Sequence, residues 1–125
     1  MVRRLGATTV MALLATACGS DTSGTPPSPP VAGSTITITS SGVSPKSLVV
    51  SPGTQVTFTN NDFRNHEMAS DPHPEHTDCP AINTVDLVVP GQSKQTSNLN
   101  VVRTCGYHDH MNPDNASLRG TITIQ

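Results

Sequence analysis

The sequence contains no tryptophan, one tyrosine and two phenylalanines, so aromatic side chains make up 2% of its 125 residues. It also lacks any cluster of lysine and arginine. Without a basic patch or aromatic platforms, it has neither of the usual means of holding nucleic acid. Charged residues are 13% of the chain and the formal net charge is −2, too small to define a partner. No apolar stretch approaches the roughly 20 residues that a membrane-spanning helix needs. No repeat of solenoid length occurs, no segment has helical periodicity, and no nucleophile–base–acid triad stands out.

What is present begins at the N-terminus. Arg3 and Arg4 precede a mainly apolar run of thirteen residues, Leu5 to Ala17. A basic start, a short apolar stretch and small residues before a cleavage point describe a secretory signal peptide. The segment ends in Leu14-Ala-Thr-Ala-Cys18, which resembles a bacterial lipobox. That resemblance implies that residues 1–18 are a leader, with Cys18 lipidated and anchored to a membrane. An ordinary signal peptide cleaved near Ala17 is the plainer alternative. Removing residues 1–17 takes away two arginines and no acidic residue, so the formal charge moves from −2 to −4. Residues 19–33 include Pro26, Pro27, Pro29 and Pro30 among Ser, Thr and Gly. This composition cannot bury a core and reads as an extended, disordered tether. Residues 34–125 remain for one domain with one modest core.

Within that domain, alternation of polar and apolar residues marks strands. Thr35 to Thr39 reads T-I-T-I-T, with Ile36 and Ile38 facing inward. Leu48 to Val50, Gln55 to Thr59, Val85 to Val89, Val101 to Cys105 and Gly120 to Gln125 follow, with a polar edge strand expected between Gln92 and Leu99. Turns are expected at Gly42 to Pro45 and at Pro52-Gly53. About seven short strands separated by turn signals predict an all-β, Greek-key sandwich. Residues 60–84 show no periodicity, and a long irregular loop in a compact domain usually serves function.

The densest chemistry lies near the C-terminus. Cys105, His108 and Met111 recur at three-residue steps, C-x-x-H-x-x-M, and His66 stands far upstream after a strand. Two imidazoles, a thiolate and a weak axial thioether are the donors of a type 1 copper site. Two segments, Val56-Thr-Phe-Thr-Asn-Asn-Asp62…His66 and Cys105 to Met111, make the domain resemble the cupredoxins, the blue-copper family that includes plastocyanin and amicyanin. The resemblance covers nearly all of residues 34–125. It implies one copper ion held by His66, Cys105, His108 and Met111, with His108 as the electron portal. It further implies a monomeric electron carrier rather than an enzyme, with redox partner proteins in the cell envelope. The chain departs from the family at Glu67, where asparagine is common, and in the insertion from Asn112 to Arg119.

A second reading stays open. In an exported protein two thiols usually form a disulfide. A Cys79–Cys105 bridge would close a loop of about 26 residues, contribute about 3–4 kcal/mol and remove the thiolate. Copper(II) or zinc could then bind imidazoles alone, drawn from His66, His73, His76, His108 and His110. Such a protein would handle copper rather than pass electrons quickly. His73 and His76 by themselves read as exposed loop residues, and His110 as solvent-facing. A third reading is a metal-free interaction module.

Overall fold

The computed structural model describes residue 24 and residues 29–125. The expected leader, Cys18 and most of the tether lie outside the described residues. Ten strands form two mixed sheets: β1 (Val31–Ala32), β2 (Thr35–Thr39), β3 (Gly42–Ser44), β4 (Ser47–Val50), β5 (Thr57–Asn60), β6 (His66–Ser70), β7 (Asp86–Val88), β8 (Ser93–Gln95), β9 (Arg103–Asp109) and β10 (Gly120–Ile124). The larger sheet runs β1-β4-β10-β9-β6-β7 and the smaller β3-β2-β5-β8. Among the described residues there is no α-helix, only 3-10 turns at Ile82–Thr84 and Ala116–Leu118. The all-β sandwich is therefore as the alternation requires.

The period-2 pattern puts its apolar residues between the sheets. Ile36 and Ile38 of β2, Phe58 of β5, Leu48 and Val50 of β4, and Ile122 and Ile124 of β10 are all buried. Their polar neighbours, the threonines of β2 and β10, face outward and are exposed or only partly covered. Phe58 meets Tyr107 edge to face across the core, with ring centroids 5.2 Å apart. β8 is the edge strand expected between Gln92 and Leu99. The expected turn at Gly42 to Pro45 differs: its first three residues form β3, which pairs with β2. The far end of the expected tether, Val31–Ala32, also pairs, as a short strand beside β4.

The largest departure is β6, inside the stretch that lacks periodicity. His66 to Ser70 lies between β9 and β7 in the larger sheet. Its register sets Met68 opposite Asp109 and Ala69 opposite His108. The pattern H-E-M-A-S hides the strand because its inward residues include His66 and Ser70, which are polar yet buried.

Asn60 joins the two sheets at this end. From β5, its amide donates to the carbonyls of Arg64 (2.7 Å) and Val88 (2.8 Å), and its side-chain oxygen accepts from the Asp62 N–H (2.8 Å). These bonds fix the loop that delivers Asp62 to His66.

Candidate metal centre

β9 decides where each candidate ligand goes. It stays extended through Asp109, so residues an odd number apart point to opposite faces of the sheet. Cys105 and Tyr107 enter the core between the sheets. Gly106 and His108 face the other way, where Gly106 lies against the Asp71 side chain. A C-x-x-H spacing gathers its two residues at one point only if the chain turns between them. Here it does not.

The expected set of His66, Cys105, His108 and Met111 is therefore divided, and each member has a separate fate. Cys105 is bonded to Cys79, so it offers no thiolate. His66 is buried on the core side, with both ring nitrogens taken: Nδ1 lies 2.9 Å from Asp109 Oδ2 and Nε2 3.0 Å from Asp62 Oδ2. Met111 follows the strand and is 53% exposed. Only His108 lies in a cluster of donors. For Cys105 the structure has the disulfide with Cys79 that the second reading holds open.

The core side of β9 carries a carboxylate–imidazole–carboxylate row, Asp62–His66–Asp109. An imidazolium ring can donate to both acids, whereas a neutral ring can donate to one. Burial acts to raise the Asp109 carboxyl. It is outweighed by donors from Asn112, the Glu67 N–H, His66 and the Met111 N–H, which together hold it below the usual carboxylate value. For Asp62 burial likewise acts upward, and bonds from His66, the Phe63 N–H and Arg64 reverse it. This row is a structural clamp at the end of β9.

On the opposite face stand four histidines. His73, His76, His108 and His110 each place a ring nitrogen within 4.8 Å of the others. His108 and His110 come from β9 and the residue after it, two apart and so on one side. His73 and His76 come from the segment that follows β6 and roofs the strand. Ring centroids lie 4.9 Å apart for His73 and His110, 4.8 Å for His76 and His110, and 5.1 Å for His76 and His108.

Backbone bonds hold this roof in place. The Asp71 N–H donates to the Gly106 carbonyl (3.0 Å), extending the β6–β9 ladder by one residue. A Cβ at position 106 would run into the Asp71 carboxylate, so glycine is what lets the two strands' side chains share that space. His76 has φ = 54°, a left-handed conformation uncommon for any residue but glycine. Its N–H donates to the Pro72 carbonyl (2.7 Å), and its carbonyl accepts from Asn83 Nδ2 (2.8 Å). Such strain, fastened at both ends, is characteristic of functional positions. The segment returns to the core at the Cys79–Cys105 disulfide.

The cluster has the chemistry of a cation site. His108 Nδ1 donates to Asp71 Oδ1 across 2.6 Å, since a carboxylate can only accept. In a neutral ring this leaves the lone pair on Nε2, which is buried and has no hydrogen-bond partner. A carboxylate behind an imidazole is the usual support for a metal-binding histidine. His110 Nδ1 and His76 Nε2 lie 3.1 Å apart and share one hydrogen bond. The His76 imidazole is held below its usual pKa, first by burial and then by the charge of His108, His110 and His73, against an opposing pull from Glu67. It therefore favours the neutral, ligating form. Four imidazoles and no sulfur suit copper(II) or zinc, and do not suit a type 1 copper site.

The signal for His110 was in the sequence. His-x-His within a strand puts both rings on one face, but this requires β9 to continue past Cys105. His73 and His76 had no such signal, because the roof's path depends on β6.

No protein-family model matches this sequence, and no curated protein matches it. Solved structures do resemble its fold. A purple cupredoxin from Nitrosopumilus maritimus aligns at 17% identity over 74% of this chain and all of its own, with a TM-score of 0.55. Oxidised plastocyanin from the fern Dryopteris crassirhizoma aligns at 18% identity over 73% of this chain and 99% of its own, with a TM-score of 0.56. A copper-containing nitrite reductase from Thermus scotoductus aligns at 19% identity over 73% of this chain but only 22% of its own, with a TM-score of 0.56. The chain has the cupredoxin fold. Its four clustered histidines could hold a metal ion.

Proposed function

We propose that this chain is an exported copper-binding protein that holds one copper(II) ion on His73, His76, His108 and His110. The observation that carries the reading is His108 Nε2, buried without a partner among three other imidazoles while Asp71 holds Nδ1. The cupredoxin fold supports copper over other imidazole-seeking metals, and copper(II) also binds nitrogen sites more strongly than its first-row neighbours do. The bound ion would supply a Lewis-acidic, redox-active centre. Asp71 orients His108, the left-handed His76 presents its ring from the roof, and the core clamp fixes the end of β9.

The role is copper capture and handover rather than catalysis. Partners would be envelope proteins that exchange copper through imidazole or thioether donors. The leader-like residues 1–18 support export, and the lipobox resemblance supports a lipid on Cys18 that tethers the domain to a bacterial membrane, facing the periplasm or the cell surface. Redox partner proteins belong to the electron-carrier reading, which the C-x-x-H-x-x-M spacing favours and the disulfide disfavours.

Titration of the metal-free chain with copper(II), followed by electron paramagnetic resonance, tests this. One equivalent bound tightly, with nitrogen hyperfine structure that is lost in His108→Ala, supports the reading. No tight binding, or binding unaffected by His108→Ala, overturns it.

A further inference from the structure

The histidine site and the disulfide bind the same two segments of chain together. The roof segment carries His73, His76 and Cys79, whereas β9 and its end carry Cys105, His108 and His110. Each cysteine stands three residues from a ligand, Cys79 after His76 and Cys105 before His108. One bond lies on the core face of β9 and the other site on its outer face. The roof thus crosses from one face to the other and is pinned on both.

Between those pins the roof has few other holds. Its non-covalent ties to the rest of the domain are the Asp71 N–H to the Gly106 carbonyl, the Ile82 N–H to the Cys79 carbonyl, Asn83 Nδ2 to the His76 carbonyl, and the side-chain contacts of Asp71 with His108 and of Asp78 with Arg103; the bonds from His76 to Pro72 and from Asp78 to Asp71 are internal to it. Opening the disulfide would remove the only covalent cross-link at the C-terminal end of the roof and leave it held by hydrogen bonds near Cys79 and the burial of Ile82. His73 and His76 would then have to be ordered at the expense of metal-binding free energy.

From this shared cross-linking, and resting on the metal site proposed above, we propose that the Cys79–Cys105 disulfide and metal binding are energetically coupled. The disulfide-closed protein binds metal tightly, and bound metal in turn shields the disulfide from thiol reductants. Linkage requires the two effects to be equal in size. The site would thereby be competent in an oxidising compartment and weakened in a reducing one.

The structure offers the reductant a route that avoids the metal. Cys79 lines a groove of about 370 Å³ together with Thr77, Asp78, Pro80, Leu99 and Arg103, and none of the four histidines is among its lining residues. Arg103 and Asp78 both line the groove and lie 3.9 Å apart, so the carboxylate offsets the guanidinium charge there. A monothiol such as glutathione would attack Cys79 Sγ, form a mixed disulfide there and release Cys105 as a thiolate, which takes a proton. A second glutathione thiolate would then displace Cys79. Two glutathione molecules lose two electrons and two protons and become one glutathione disulfide, while the protein gains two thiols.

The test uses the full chain with Cys18→Ala, so that only Cys79 and Cys105 report. Zinc(II) serves as the redox-inert probe, its free concentration held by a chelator buffer. Thiol alkylation follows the disulfide across a series of glutathione redox buffers. Saturating zinc should raise the ratio [GSH]²/[GSSG] needed for half-reduction by roughly 5–150-fold, the usual range of coupling between sites. Zinc affinity of the reduced protein, or of Cys79→Ala/Cys105→Ala if it remains β-rich by circular dichroism, should fall by a similar factor. An unchanged midpoint at saturating zinc overturns the coupling whether or not the double variant folds. Failure of the oxidised protein to bind either zinc or copper(II) overturns the metal site itself, and the coupling with it.

Discussion

His108 and Asp71 meet at 2.6 Å, and that contact gives the ring its direction. With Nδ1 committed to the carboxylate, Nε2 must face the other three histidines. Removing the carboxylate leaves the ring free to rotate or change tautomer. Asp71→Asn should lower copper(II) affinity by about 10–100-fold, the usual cost of losing such a support. Isothermal titration calorimetry on the variant measures this. Equal affinity would mean that Asp71 does not orient the ligand.

Two histidines on opposite sides of one sheet should fail in opposite ways. His66 bridges Asp62 and Asp109 inside the core. His66→Ala leaves two buried carboxylates without their partner, and should lower the melting temperature of the metal-free protein more than His108→Ala does. His108→Ala should lose copper binding, with a fall in the metal-free melting temperature smaller than that of His66→Ala. Scanning calorimetry and copper titration on both variants check the division.

The disulfide closes a loop with a sequence separation of 26 residues. Cys79→Ala/Cys105→Ala should destabilise the domain by about 3–4 kcal/mol on the chain-entropy account. Urea denaturation of the metal-free protein reads this directly. A change well under 1 kcal/mol would show that the unfolded chain is already restricted between these residues.

Much of the fold was legible because alternation states which face of a strand is buried. Thr35 to Thr39 and Gly120 to Ile124 carry that pattern without ambiguity, and both strands lie where it puts them. β6 was not legible, because a buried His66 and Ser70 break the apolar signal. The site followed the same logic. Cys105 and His108 looked like neighbours on a loop, yet β9 runs four residues past Cys105 and sends them to opposite faces. Tertiary pairing with β6 and β10 keeps that segment extended, and spacing alone does not reveal pairing.

Acid should weaken the metal-free protein in two stages. The folded-state pKa of His76 is lowered, by burial first and by neighbouring imidazoles second. The unfolded chain therefore binds the proton more readily. Stability from this group is complete above the ordinary histidine value of 6.5 and declines as pH falls through it toward the folded value. Asp109 has a lowered pKa as well, so its contribution is present above the ordinary value of 3.8 and is lost as pH falls below it. Melting temperatures between pH 8 and pH 3 should fall in both windows. In His76→Ala the upper decline should shrink. Copper affinity should also fall with acid, because protons compete for the imidazoles.

The most direct measurement of the central claim is the visible and electron paramagnetic resonance spectrum of the unreduced chain loaded with one equivalent of copper(II). Four imidazoles and no thiolate predict a pale solution, a tetragonal resonance and nitrogen hyperfine structure. An intense blue or green band would mean a copper–thiolate bond. That would place Cys105 back among the ligands and contradict the histidine site.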